Sequence, residues 1–219
     1  MTTFSNSPRL LRGGIVLVDP DSGQVLRVIA MQYNPDTLTR TLLPQAIAGD
    51  GQDRSQALRL KGPPVETIKL DAEIDAADQL EFPDQNPNVV QFGIAPQLAQ
   101  LETLLYPPSA RLIANNALQA VGTLEITPVQ TPLTLLVWNR QRVIPVRLTD
   151  FSITEEAFDP QLNPLRAKVS LSMRVLSVDD LGFDTKGGAL YLVYQQNKER
   201  LAQLEKSATL PALGLTGIP

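Results

Sequence analysis

The chain has 219 residues, 43% of them hydrophobic, a mean hydropathy of -0.05 and a net charge of -4 from 19 basic and 23 acidic side chains. That length suits one large domain or two small ones with a real core. With no cysteine and no histidine, disulfides, thiolate and imidazole nucleophiles and Cys- or His-ligated zinc are excluded, leaving carboxylate, Lys or Tyr chemistry if the protein is an enzyme.

The charges are spread along the chain, without the basic concentration of a nucleic-acid binder. No apolar run is long enough to span a bilayer. The first residues, "MTTFSNSPRLLRGG", lack a signal peptide's pattern, so a cytoplasmic location is expected. Prolines number 18 and fall between the patterned segments, as in a β-rich protein with long connections.

Residues 14–35 read as two strands around the turn Asp19-Pro20-Asp21-Ser22-Gly23. Both strands are almost continuously apolar, which predicts cover on both faces, with Pro35 ending the second. Residues 44–65 show no sustained period and predict a long exposed loop. Residues 66–78, "ETIKLDAEIDAAD", then alternate strictly. Ile68, Leu70, Ala72 and Ile74 share one face, while Asp71, Glu73 and Asp75 share the other, with Thr67 and Lys69.

Residues 94–108 predict a short one-sided helix through Leu98, Leu101, Leu104 and Leu105, with Pro96 in its first turn and Pro107-Pro108 closing it. Between 109 and 132 the pattern allows a short helix and a strand at 123–127. Residues 133–138 and 142–153 read as a hairpin across Asn139-Arg140-Gln141. In its second strand Ile144, Val146 and Leu148 share one parity and Phe151 and Ile153 the other, which predicts a bulge or sharp bend near Thr149-Asp150. Pro145 predicts an edge or bulged position.

Residues 165–178 alternate again: Leu165, Ala167, Val169, Leu171, Met173 and Val175 face one way, and Arg166, Lys168, Ser170, Ser172 and Arg174 the other. Residues 189–206 predict an amphipathic helix with the stripe Leu190, Val193, Tyr194, Asn197, Leu201 and Leu204, preceded by Gly187-Gly188. The expected fold is α+β, mainly β with two or three helices: one domain over 1–206 and a flexible tail over 207–219.

Between the two long strands lies an acidic stretch, "ITEEAFDPQLNPL", which predicts a turn. Neighbours on an extended chain point apart, so Glu155 and Glu156 cannot converge on one substrate. Asp179, Asp180 and Asp184 lack the regular spacing of a calcium loop. "GGIVLVDPDSG" lacks the glycine spacing of a nucleotide-binding turn. Trp138 reads as a core anchor, and the charges at Lys198, Glu199, Arg200, Glu205 and Lys206 as a solvated helix face. No catalytic, cofactor or metal site is expected.

The ordered stretches "MQYNPDTL", "ETIKLDAEIDAAD", "PQLAQLETLLYPP", "PLTLLVWNRQRVIPVRLTDFSITEEAFDPQLNPLRAKVSLSMRVL" and "LYLVYQQNKERLA" resemble the baseplate-hub adaptor of phage tail-like contractile injection systems, the tube-protein or LysM-type baseplate family. The most specific pieces are W-x-x-x-x-V-x-P-V-x-L, F-x-I-x-E-E-x-F and L-N-P-L-R-A-x-V. The resemblance implies a tube-like β-barrel or sandwich with a flanking helix, assembled as a homohexameric ring between inner-tube proteins and the spike or hub protein, beside other baseplate proteins. It implies no catalysis and no cofactor. Glu155, Glu156, Phe158 and Asn163 are then candidate contacts, and Asp71, Glu73, Asp75, Arg166, Lys168 and Arg174 candidate lumen or subunit surfaces. Family members often carry a LysM module that these residues do not show, so no glycan binding is carried over. An inner-tube or tube-initiator subunit and, from another class, a ligand-binding β-barrel or carboxylate hydrolase remain alternatives.

Overall fold

The computed structural model describes residues 11–45, 59–120, 131–205 and 208–218, with backbone only at 119–120. Its strands are β1 (Gly14–Val18), β2 (Val25–Ala30), β3 (Leu38–Leu43), β4 (Val65–Asp75), β5 (Leu133–Asn139), β6 (Arg142–Phe158) and β7 (Pro164–Val175). Its helices are α1 (Ala77–Leu80), α2 (Pro87–Phe92), α3 (Ala95–Glu102), α4 (Ser109–Ala120), α5 (Val178–Leu181) and α6 (Lys186–Leu204). Short 3-10 turns occupy Pro83–Gln85 and Leu210–Leu213. The fold is α+β, built on one seven-stranded antiparallel sheet in the order β2-β1-β5-β6-β7-β4-β3.

The alternation of β4 and β7 sets the core. Their registered pairs run from Thr67↔Arg174 to Asp75↔Arg166, so both apolar parities fall on one face. Ile68, Val169, Met173 and Ala167 are fully buried there, with Leu70, Leu171, Ala72 and Ile74 beside them. Each large aliphatic side chain so buried contributes about 1.5–3 kcal/mol. Ile15, Leu136, Ile144 and Val146 continue the cluster across the sheet, and Ile94, Leu98 and Leu101 cover it from α3. Pro96 sits in the first turn of α3, as the sequence predicts.

The sheet is strongly curved. Gln32, just beyond β2, donates from Nε2 to the Asp75 carbonyl at 2.7 Å and accepts from the Asp75 N–H at 3.0 Å. β1, β5, β6 and β7 lie between those two strands in the sheet order, so its ends have come round towards each other.

Several expectations change. β2 is an edge strand, with Val25, Leu26 and Val28 all more than half exposed, so its apolar run has no cover on both faces. The strand also ends at Ala30, well before Pro35. Pro145 is fully buried in a central strand between β5 and β7, not at an edge or bulge. Its carbonyl accepts from Leu176 N–H, just past the end of β7. A residue's N–H and C=O point to the same side of a strand, so the missing N–H falls where the ladder stops and costs little.

The bulge appears where parity predicts it. Register shifts between Leu148 and Asp150, and the skipped Thr149 donates its hydroxyl to the Ser172 carbonyl at 3.1 Å. Edge strand β3 was not foreseen: it is almost wholly exposed and has no apolar period to read. The helix expected at 94–108 is only Ala95–Glu102, and α4 occupies the expected short helix after residue 109. The strand expected at 123–127 and most of the 44–65 loop lie outside the described residues. In the tail, the described residues 208–218 are all exposed.

Candidate functional site

Opposite the core, β6, β7 and β4 form a charged face. Two-residue alternation puts Arg166, Lys168, Ser170, Ser172 and Arg174 outward on β7. Register then places Glu156, Thr154, Ser152 and Asp150 of β6 on one side of Arg166 through Ser172. Asp75, Glu73, Asp71 and Lys69 of β4 stand on the other. Rows of bases flanked by acids follow from the sequence once the strands pair.

The rows neutralise one another. Arg166 Nε donates to Asp75 Oδ2 at 2.7 Å, Lys168 Nζ lies 3.3 Å from Glu156 Oε1, and Ser170 Oγ donates to Asp71 Oδ1. Hydrogen bonding from the Ala77 N–H, then from Arg166, holds the Asp75 carboxyl below its usual range, and Asp75 in turn raises Arg166. Glu73 pairs with no cation within salt-bridge distance among the described residues, although it lies opposite Lys168 in register. Arg174 instead donates to Asp180 at 2.8 Å. Solvent-exposed pairs of this kind contribute about 0–1 kcal/mol each, far less than the aliphatic face behind them. Each pair of the charged pattern therefore adds only modestly to stability.

The acid pair lies within β6 itself, where the sequence suggested a turn. Glu155 pairs in register with Ala167 and Glu156 with Arg166, so their side chains leave opposite faces of the sheet, and Glu155 is exposed. The turn lies further on, at Asp159 to Asn163. Asp159 Oδ1 accepts from Gln161 N and Asn163 N, both at 2.8 Å, and Oδ2 accepts from Asn163 Nδ2 at 2.8 Å. Those bonds, the Asn163 side chain first, lower the Asp159 pKa. Ala157 just before this turn and Leu162 within it adopt positive φ, a conformation L-residues hold only when their surroundings enforce it.

Asn163 also donates to the Gln91 carbonyl at 3.2 Å, so its amide fastens the turn to α2. Gly93 ends α2 against Pro164, where a Cβ would meet the Pro164 carbonyl oxygen at 2.1 Å. This close approach clamps α2 to the hairpin tip. The tip itself is apolar and open: Phe158 is 50% exposed and Leu162 78%, with Val90 and Phe92 of α2 also exposed.

Sequence reasoning missed Glu66, the one buried acid among the described residues. Glu66 accepts from Tyr194 Oη at 2.8 Å and from Lys198 Nζ at 2.7 Å, with Arg40 Nη1 at 3.6 Å. Its side chain is only 4% exposed. The signal was present, because Glu66 shares the parity of Ile68, Leu70 and Ala72 on a face that should be apolar. Helix α6 turns the matching face inward. Gly187, Gly188, Tyr191 and Tyr194 are buried; of the expected stripe Tyr194 is buried and Leu190 and Asn197 half-buried, whereas Val193, Leu201 and Leu204 are exposed. Gly187 and Gly188 belong to the first turn of α6, where a Cβ on Gly188 would lie 1.9 Å from the Gly182 carbonyl oxygen. Close packing at the glycines rotates the helix away from its aliphatic stripe.

Asp180 is occupied as well. Its carboxylate accepts from Ser177 N at 3.0 Å while Ser177 Oγ accepts from Asp179 N at 3.2 Å, the reciprocal cap of α5. Among the described residues no group of three or more carboxylates is placed to hold a metal ion, and no helix is long and apolar enough to cross a membrane. Trp138 packs half-buried against the core, its ring close to Gly13.

No protein-family model and no curated protein matches the chain.

Proposed function

We propose that the protein is a non-catalytic structural subunit of a contractile injection baseplate, forming a six-fold ring that joins the inner tube to the spike-bearing hub. Its partners are copies of itself, inner-tube proteins, the spike or hub protein and other baseplate proteins, assembled in the cytoplasm into the injection particle.

One observation carries this reading. The segment on which the resemblance chiefly rests forms the 17-residue β6 and the 12-residue β7, the two longest strands, which meet at an exposed apolar tip. One face of that hairpin supplies the core and the other a neutralised lattice of acids and bases, which suits contact with a wet channel or a polar neighbour better than either suits chemistry. Phe158 and Leu162 at the tip, with Glu155 beside them, are the subunit or hub contacts. Glu155 and Glu156 leave opposite faces of the sheet, so this acid pair does not converge on one substrate.

Negative-stain electron microscopy of the purified protein, alone and mixed with inner-tube subunits, tests the proposal. Six-fold rings support it. Long hollow tubes from the protein alone reassign it as a tube subunit, and isolated globular particles in both samples overturn it.

A further inference from the structure

The curved sheet leaves two strand edges facing each other across a cleft. β3 pairs with β4 only up to Leu38↔Leu70, so among the described residues the second half of β4 has no neighbouring strand on that side. The edge of β2 away from β1 is likewise unpaired among the described residues, where β2 ends the sheet. Which groups face the gap follows from the alternation of antiparallel ladders. Asp75 turns its N–H and C=O to Gln32, so Asp71 and Glu73, of the same parity, turn theirs the same way. Met31 N–H bonds back to Gly13, which leaves Val28 and Ala30 directing theirs outward.

Val28, Ala30, Gln32, Ala72, Glu73 and Ile74 line the space between these edges, over α3, with a free volume of about 140 Å³. A cavity of about 150 Å³ accommodates a benzene-sized group, so this one has room for the side chains that a strand turns inward. At one end the Gln32 carboxamide makes the paired donor and acceptor contacts to Asp75 that a neighbouring strand's backbone would make. Along the rim, Glu73 stands without an ion-pair partner among the described residues, with Asp71 on the same exposed face.

We infer that this cleft receives an extended peptide segment of a partner protein, apolar at alternate positions and carrying Lys or Arg at the others. The segment runs antiparallel to β2. Because β2 and β4 are antiparallel to each other in the sheet, it runs parallel to β4. Its apolar side chains enter the space between Val28, Ala72 and Ile74, its basic side chains reach Glu73 and Asp71, and its backbone satisfies both free edges. Gln32 occupies the last position of that ladder and sets where the segment must stop. This inference stands whether or not the protein belongs to a baseplate.

The probe is an acetylated and amidated hexapeptide of alternating Lys and Val, titrated into the full chain and followed by amide chemical shifts. Saturable binding is expected, with shifts confined to residues 26–32 and 71–75. N-methylation of every second residue, in either parity, abolishes it, since each parity faces one free edge. Glu73→Gln, an exposed change, weakens binding by about fivefold, the equivalent of one exposed ion pair. The inference is overturned by methylated peptides that bind as well as the parent, by loss in one parity alone, by shifts centred on the outward face of β6 and β7, or by no binding at millimolar peptide.

Discussion

Tyr194 donates its phenolic hydrogen to Glu66 Oε1 at 2.8 Å, joining residues 128 apart in the chain, and Lys198 reaches the other oxygen of the same carboxylate from one helical turn further on. Lys198 also lies 4.0 Å from the centre of the Tyr194 ring. This cluster ties the middle of α6 to β4, where the aliphatic residues Val193, Leu201 and Leu204 of the helix face outward.

Removing one partner of a buried charge leaves the other uncompensated, and this commonly costs about 3–5 kcal/mol. Arg40 still stands 3.6 Å from Glu66 and Lys198 is itself 38% exposed, so Lys198→Met should fall short of that limit. It and Tyr194→Phe should each cost about 1.5–3 kcal/mol, the worth of a hydrogen bond to a charged group. Glu66→Leu with Lys198→Met should cost less than Lys198→Met alone, since no buried charge remains. Urea unfolding of the three variants measures this. Additive losses in the double variant would show that Glu66 is not held as a charge.

The Gln32 clasp predicts an unusual ranking. Gln32→Ala removes two hydrogen bonds and should cost about 1–3 kcal/mol. Gln32→Glu should cost more, because a carboxylate has no hydrogen to donate and sets an oxygen against the Asp75 carbonyl. Thermal unfolding of the pair decides it, and equal losses would mean that the clasp is only a packing contact.

Asp75 gives the fold an acid-sensitive element. Its pKa in the folded protein lies below the ordinary value of 3.8, so the folded state favours the charged form. The stability this contributes is present above that value and is lost as pH falls through the lower, folded-state pKa. Asp75→Asn should therefore be less stable than the native chain at neutral pH, and the gap should narrow below about pH 4. Denaturant titrations at neutral and acid pH measure it. A gap independent of pH would contradict the account.

The sequence made the buried sheet legible because alternation maps directly onto faces. Ile68 to Ile74 and Ala167 to Val175 fall inward, and the parity switch at Thr149 marks a true bulge. Edge elements were not legible in the same way. β2 is apolar yet uncovered, and β3 has no buried face to impose a period. Pro145 misled because its tolerance depends on where the neighbouring ladder ends, a tertiary fact. In α6 two glycines decided the packing against the stronger aliphatic signal. Of the candidate contacts, Asp75, Glu156, Arg166 and Lys168 meet in one lattice through strand register. That pairing of distant strands cannot be read from either strand alone.

The hairpin tip should behave as a contact and not as core. Phe158→Ser with Leu162→Ser should change stability by about 0.5 kcal/mol or less, as exposed substitutions do, while lowering association. A large loss of stability would place the tip in the fold itself.

Sedimentation equilibrium of the native chain beside this tip variant and Glu155→Lys tests the central claim most directly. The account predicts six times the 23.9-kDa chain mass for the native protein, and folded monomers for the variants. A native chain that stays at 23.9 kDa up to its highest soluble concentration, with inner-tube subunits as well as alone, or variants that associate as the native chain does, would contradict it.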